Sequence, residues 1–100
     1  MLYITVLLYG RNGIRGEFLE YERKALRVFR RHGGEVIAAY APSDAAAPEG
    51  GPDEVQILRI ADTESFERFM RDPERLAMSA ERESVIRRTE VFLSGELIPY

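Results

Sequence analysis

The segment that decides the fold spans residues 32–60 and reads HGGEVIAAYAPSDAAAPEGGPDEVQILRI. The glycine pair at its start is typical of a helix end, because glycine adopts the left-handed conformation that closes a helix at little cost. Two short, mostly apolar runs follow at residues 35–41 and 54–61, separated by a Pro/Gly/Ala-rich stretch. This pattern predicts two strands that form a hairpin across a loop too long for a tight turn.

A first strand and a first helix precede this hairpin. Residues 2–9 are apolar at nearly every position, which predicts a strand that is covered on both faces. Apolar residues spaced by three and four over residues 17–32 predict a helix. Its charged residues, Glu22 among them, are predicted to form the polar surface of that helix.

A second helix and a last strand follow the hairpin. Residues 62–63 can cap the helix, and Pro73 divides it. After Pro73, Leu76, Met78, Val85 and Ile86 predict a second helical piece, and residues 89–93 predict the strand. The order is therefore β-α-β-β-α-β. It predicts one α+β domain over residues 1–100, with a ferredoxin-like βαββαβ protomer: a four-stranded antiparallel sheet with two helices on one face.

Composition excludes several classes of function. The 14 basic and 17 acidic residues are interspersed, so no basic face for nucleic acid is predicted. The chain has no cysteine and a single histidine without a second ligand at metal-binding spacing, so we expect no metal site. No apolar run is long enough to span a membrane and no signal-peptide pattern opens the chain, so a cytoplasmic location is the expectation.

The first strand also predicts a partner. Both of its faces carry apolar side chains, and two helices on one side of the sheet can cover only one of them. At about 25 cal/mol per Å² of apolar area, an open sheet face would forfeit several kcal/mol. We therefore expect a homodimer that packs sheet against sheet with two-fold symmetry. A monomer with a modestly apolar open face is the alternative.

Several short motifs carry a family resemblance. The chain is similar to the bacterial domains catalogued as domain of unknown function 1330 in the order of four elements: Phe18-Leu19-Glu20-Tyr21-Glu22, His32-Gly33-Gly34, Glu49-Gly50 and Arg82. The resemblance spans nearly the whole chain and implies a dimeric α+β barrel. Relatives in that superfamily include cofactor-free antibiotic-biosynthesis monooxygenases, muconolactone isomerase-like enzymes and chlorite dismutase-like enzymes. We expect no cofactor for this chain. The chain departs from the family pattern in its alanine-rich hairpin loop and around Phe69.

Three charged or titratable residues are candidates for chemistry. His32 is the only histidine and could act as a general base, or serve only to satisfy carbonyls at the helix end. Glu49 in the hairpin loop is a second candidate for proton transfer, against the alternative of a solvated loop acid. Arg82 could clamp an anion at the mouth of a pocket, or pair with a neighbouring acid on the surface.

Four further residues are candidates for ligand binding. Arg59 interrupts an apolar strand and needs a carboxylate partner, a ligand or a place at the dimer rim. Tyr40 suits a pocket wall or an interface. Gly33 and Gly34 would let the backbone approach a ligand in a regulatory domain.

The leading hypothesis is a small-molecule-binding dimer, or a cofactor-free enzyme that acts on a small organic acid or aromatic compound. In this interpretation Arg82 orients an anionic group, His32 or Glu49 moves a proton, and Tyr40 lines the wall. The alternatives are a regulatory module of the amino-acid-sensing type, which would use Gly33 and Gly34, and a structural or assembly protein without catalysis. The sequence identifies neither a substrate nor a reaction.

Overall fold

The structure, a computed structural model, describes residues 1–42 and 51–100. Its elements in chain order are β1 (Leu2–Gly10), α1 (Arg15–Arg31), β2 (Glu35–Tyr40), β3 (Glu54–Ile60), α2 (Thr63–Met70), α3 (Pro73–Ala77), α4 (Ser79–Val85) and β4 (Ile86–Ser94). The four strands form one sheet in the order β2-β3-β1-β4, and every neighbouring pair is antiparallel. The predicted α+β class and ferredoxin-like topology are confirmed.

The junction between α1 and β2 follows the glycine signal in the sequence. Gly33 has a φ of +84°, in the left-handed region. Its amide donates a hydrogen bond to the Arg30 carbonyl, and the Gly34 amide donates one to the Phe29 carbonyl. These two bonds form a Schellman motif, which satisfies carbonyls that the end of the helix would leave without partners.

The second helical region is more divided than the sequence predicts. The Asp62 side chain caps α2 by accepting a hydrogen bond from the Ser65 amide, at 2.7 Å. The Asp72 side chain caps α3 in the same way through the Glu74 amide, at 2.8 Å. The prediction that Ile86 is helical is wrong, because this residue begins β4 and pairs with Gly10, beyond a register shift at Arg87.

The helices cover one face of the sheet and bury two apolar clusters there. One cluster surrounds Phe29 and the other surrounds Phe18, and Val6 packs against both. The even-numbered side chains of β1 lie on this face, since Leu2, Ile4 and Leu8 belong to these clusters. Within the described ranges, no helix is long and apolar enough to cross a membrane.

The other face of the sheet carries no covering layer among the residues that the structure describes. The register places these side chains on it: Tyr3, Thr5, Leu7, Tyr40, Val55, Ile57 and Phe92. We call this set the open sheet face. Phe92 and Tyr40 are each 54% exposed, although aromatic side chains gain much from burial.

Two glycine substitutions test how α1 is terminated and packed. A β-carbon at Gly34 would overlap the Phe29 ring, whereas a β-carbon at Gly16 in α1 would meet nothing. We expect Gly34→Ala to lower the free energy of unfolding by roughly 1–3 kcal/mol through overpacking. Gly16→Ala should raise it by about 0.4–1 kcal/mol, because it restricts the unfolded chain. Urea unfolding measures both, and equal effects at the two positions would contradict the packing described for Gly34.

Candidate functional site

A cavity of about 290 Å³ lies between the helices and the covered face of the sheet. We call it the helix–sheet cavity. Its walls are mostly apolar and include Ile4, Val6, Phe29, Leu58, Phe66 and Phe69. Its polar lining residues are Tyr21, Glu22, Gln56, Arg75, Arg82 and Thr89. The volume lies near the lower end of the range for ligand pockets, and mostly apolar walls with a few polar groups are typical of such sites.

A buried carboxylate–amide–carboxylate chain lies along one wall. Gln56 Nε2 donates hydrogen bonds to Glu22 Oε1 at 2.9 Å and to Glu54 Oε2 at 2.7 Å. Glu22 is only 7% exposed and Gln56 only 2%. Gln56 faces the helices because it pairs with Val6 of β1, and Glu54 pairs with Leu8 two residues along the same face.

Glu22 has an unusual affinity for protons. Burial raises its pKa from an ordinary 4.5 to about 7, and the charge of Glu54 adds to the increase. The hydrogen bond from Gln56 and the charge of Arg82 oppose the increase in pKa. Both protonation states of Glu22 are therefore populated near neutral pH, as a group that moves protons requires.

The prediction that Glu22 belongs to the polar surface of the first helix is wrong. It lies four residues after Phe18 and seven before Phe29, both of which are buried. This spacing places Glu22 in the apolar stripe of α1, and it is the signal that could have identified the residue. The prediction placed Glu22 on the surface because its side chain is charged.

Two arginines bring positive charge to the cavity. Arg82 Nη2 donates a hydrogen bond to Thr89 Oγ1 at 2.7 Å. Arg75 Nη1 donates one to the Met70 carbonyl at 3.0 Å, and its guanidinium lies 5.3 Å from the centre of the Phe69 ring. Burial lowers the pKa of Arg75, and the charge of Arg82 contributes to that decrease.

Neither guanidinium has a carboxylate within ion-pair distance among the described residues. The neighbouring acid Glu81 instead pairs with Lys24. Burial raises the pKa of Tyr21, and the charge of Glu22 adds to the increase. The charges of Arg82 and Arg75 oppose it, so Tyr21 lies among these groups. This part of the cavity therefore suits an anionic group on a ligand.

The other charged residues predicted for the site lie elsewhere. His32 Nε2 is 2.8 Å from Asp72 Oδ2, and this contact holds the pKa of Asp72 below its ordinary value. His32 thus joins the end of α1 to the cap of α3 and does not line the cavity. Arg59 pairs with Glu35 at 2.8 Å on the open sheet face.

The remaining predicted residues are not in the cavity either. Tyr40 lies on the open sheet face. Gly33 and Gly34 form the α1–β2 junction, where Gly33 has a positive φ and the Phe29 ring leaves no room for a β-carbon at Gly34. Glu49 lies outside the described residues. Of the predicted residues that are described, Arg82 is the one that lines the cavity, and the roles of all of them stay predictions. In the same ranges, no group of three His, Asp or Glu side chains could hold a metal ion.

Sequence comparison identifies the family. Residues 14–96 match the model of a domain of unknown function, DUF1330. The chain belongs to the DUF1330 family. The resemblance seen in the short motifs is thereby confirmed. No curated protein matches this DUF1330 chain.

Solved structures of other proteins share the fold. A protein of unknown function from Rhodopseudomonas palustris has a TM-score of 0.81 at 19% identity, over 98% of this chain and 83% of that one. A putative antibiotic biosynthesis monooxygenase from Nitrosomonas europaea has a TM-score of 0.73 at 13% identity, over 98% of this chain and 100% of that one. SnoaB, a cofactor-independent oxygenase from Streptomyces nogalater, has a TM-score of 0.70 at 13% identity, over 98% of this chain and 94% of that one. At these identities the likeness shows the fold of the DUF1330 chain alone.

Replacing Glu22 tests its burial in the DUF1330 domain. Because the folded pKa of about 7 exceeds the ordinary 4.5, the folded state binds more protons than the unfolded state between these values. Wild-type stability should therefore fall as pH rises from about 4.5 to 7, by about 3 kcal/mol in all. Glu22→Gln keeps an acceptor for Gln56 and has no charge. At pH 8 its free energy of unfolding should therefore exceed that of the wild type by up to that amount.

Urea unfolding at pH 5 and pH 8 measures this difference. Glu20→Gln is the matched control, because Glu20 is exposed on the same helix and pairs with Arg23. An equal stability change in the two variants at pH 8 would show that Glu22 is not buried as described.

Proposed function

We propose that this DUF1330 protein binds a small organic acid or aromatic compound in the helix–sheet cavity, as a homodimer that acts without a cofactor. The observation that carries the proposal is the presence of two guanidinium groups, without carboxylate partners among the described residues, in a cavity with mostly apolar walls. An apolar or aromatic ligand body fits the walls, and a carboxylate fits Arg82 and Arg75.

The physical argument concerns the cost of a partly buried positive charge. Desolvation disfavours a guanidinium without a counter-ion, and it already lowers the pKa of Arg75. A ligand carboxylate would supply the missing counter-ion and could accept two hydrogen bonds from one guanidinium. Aromatic side chains at Phe66 and Phe69 would pack against the ligand body.

Action without a cofactor is supported by two kinds of observation. SnoaB is a cofactor-independent oxygenase, and this chain shares its fold. The cavity of this chain also holds its own titratable group, Glu22, whose pKa of about 7 suits proton transfer at neutral pH.

The homodimer is supported by the open sheet face. Apolar side chains are neighbours across β1 and β3, as in the pair Leu7–Val55, and the Phe92 ring of β4 lies beside Thr5. A two-fold axis through this face would bring the same surface of each copy into contact. Burial of Phe92 and Tyr40 would contribute most, because aromatic side chains dominate the energy of such interfaces.

A binding test targets Arg82. We expect benzoate, phenylacetate or phenylpyruvate to bind more tightly than the corresponding methyl esters, measured by isothermal titration calorimetry. Arg82→Ala should weaken binding of the acids by about 10–100-fold, the value of a charge-assisted hydrogen bond, and leave the esters unaffected. Arg23→Ala is the control, because Arg23 lies on the exposed side of α1. Equal affinity of the wild type for acids and esters, or no binding of any of these compounds, would refute the proposal.

A second test targets the open sheet face. Phe92→Asp should convert a dimer to a monomer in size-exclusion chromatography with light scattering, because it places a charge in the proposed interface. Leu76→Asp is the matched control: Leu76 is also 54% exposed but lies in α3, on the other side of the molecule. A wild-type mass equal to one chain at micromolar concentration would exclude the dimer.

A further inference from the structure

We infer that Glu22 accepts a proton from carbon in the helix–sheet cavity, so that the ligand is a carbon acid: an aromatic keto acid with a C–H group beside its carbonyl. This inference rests on the proposed binding function and deepens it, because it names the class of substrate and the residue that acts on it. Three features of the described residues support it: the free oxygen of Glu22, the charge pattern of the cavity and the fixed position of Gln56.

The first feature is the free oxygen. Glu22 lines the cavity, and its Oε1 already accepts a hydrogen bond from Gln56. No donor among the described residues hydrogen-bonds to Oε2, and Glu22 lines the cavity. A carboxylate oxygen that no described donor engages is in position to remove a proton from a ligand bound there.

The second feature is the charge pattern. Glu22 and Glu54 form the acidic side of the site, whereas Arg75 and Arg82 bring positive charge to the same lining. Arg82 and Glu22 line the same cavity, so a ligand bound in it can contact both. A keto acid would direct its oxygens to the guanidinium groups and its C–H group to Glu22.

The proton transfer balances without any other reactant. The proton moves from the ligand carbon to Glu22, and the C–H electron pair moves into the carbonyl to give an enolate. Arg82 or Arg75 stabilises the enolate oxygen, since it carries more negative charge than the ketone oxygen. The proton on Glu22 exchanges with solvent, and return of a solvent-derived proton to the same carbon, or transfer to the enolate oxygen, regenerates the carboxylate. The products are the exchanged keto acid or its enol, so no oxidant is needed.

The third feature is the fixed amide. Gln56 donates from one nitrogen to two carboxylates and is almost fully buried, so it holds Glu22 in one orientation. It is a positioning residue in this scheme, because it acts through Glu22. The nearby charge of Glu54 favours the protonated form of Glu22, which helps Glu22 to accept a proton.

The test measures hydrogen exchange in phenylpyruvate. The protein is incubated with phenylpyruvate in D₂O, and loss of the methylene signal is followed by proton NMR against a buffer blank. The wild type should accelerate exchange, with a rate that rises as Glu22 loses its proton near neutral pH. Glu22→Gln should reduce the accelerated rate by about 100-fold or more, the usual share of a general base, while phenylpyruvate still binds. Glu20→Gln should exchange at the wild-type rate.

Three outcomes would overturn the inference, and they separate it from the proposed function. If phenylpyruvate binds and no exchange above the blank occurs, the cavity binds acids but Glu22 accepts no proton from carbon. If exchange persists in a folded Glu22→Gln variant, another group is the base. If benzoate and phenylacetate bind while phenylpyruvate does not, the ligand class is wrong and the binding function stands. Circular dichroism of Glu22→Gln confirms that any loss of exchange occurs in a folded protein.

Discussion

The arrangement of the whole molecule depends on β1, a central strand with apolar side chains on both of its faces. Its even-numbered side chains, Leu2 to Leu8, are covered by helices, and its odd-numbered ones lie on the open sheet face. A strand of this kind is stable only when both faces leave water, because apolar burial is the main favourable contribution to folding. One layer is supplied by the chain itself. The proposed dimer would supply the other. The same strand would then contribute side chains to the cavity on one face and to the interface on the other.

The cavity exists because the helical layer is uneven. α1 has 17 residues and lies across the sheet as one rigid element, whereas the segment after β3 is divided into helices of 8, 5 and 7 residues. Asp72 and Pro73 separate α2 from α3, and Met78 separates α3 from α4. Each short helix contributes different side chains to the lining. Arg75 comes from α3 and Arg82 from α4, while Glu22 comes from α1. The basic and acidic groups of the site are therefore held by separate elements, which allows them to face one ligand from different directions.

Local signals in the sequence predict much of the fold, and they predict less of the site. The glycine pair, the alternation of β1 and the proline at residue 73 act within a few residues, so their effects can be read directly. The helical prediction for Ile86 is wrong because its strand partner, Gly10, lies 76 residues earlier in the chain. His32 meets Asp72, 40 residues away, and no periodicity reveals that contact. Glu22 fits the apolar stripe by position and contradicts it by charge, and the burial that decides its chemistry depends on Gln56 from another element.

The identity of residue 22 is difficult to explain by packing. A buried carboxyl with a pKa of about 7 reduces stability above neutral pH by about 3 kcal/mol, in a small domain whose total stability is on the order of 5–15 kcal/mol. A glutamine would accept the same hydrogen bond from Gln56, fill the same volume and avoid that loss. What glutamate provides and glutamine lacks is an oxygen that can take up a proton. A destabilising titratable group in a cavity with two guanidiniums is expected where proton transfer is the function, since active sites sacrifice stability for reactivity. Covering the open sheet face in the proposed dimer would offset that loss, because it would remove apolar area from water.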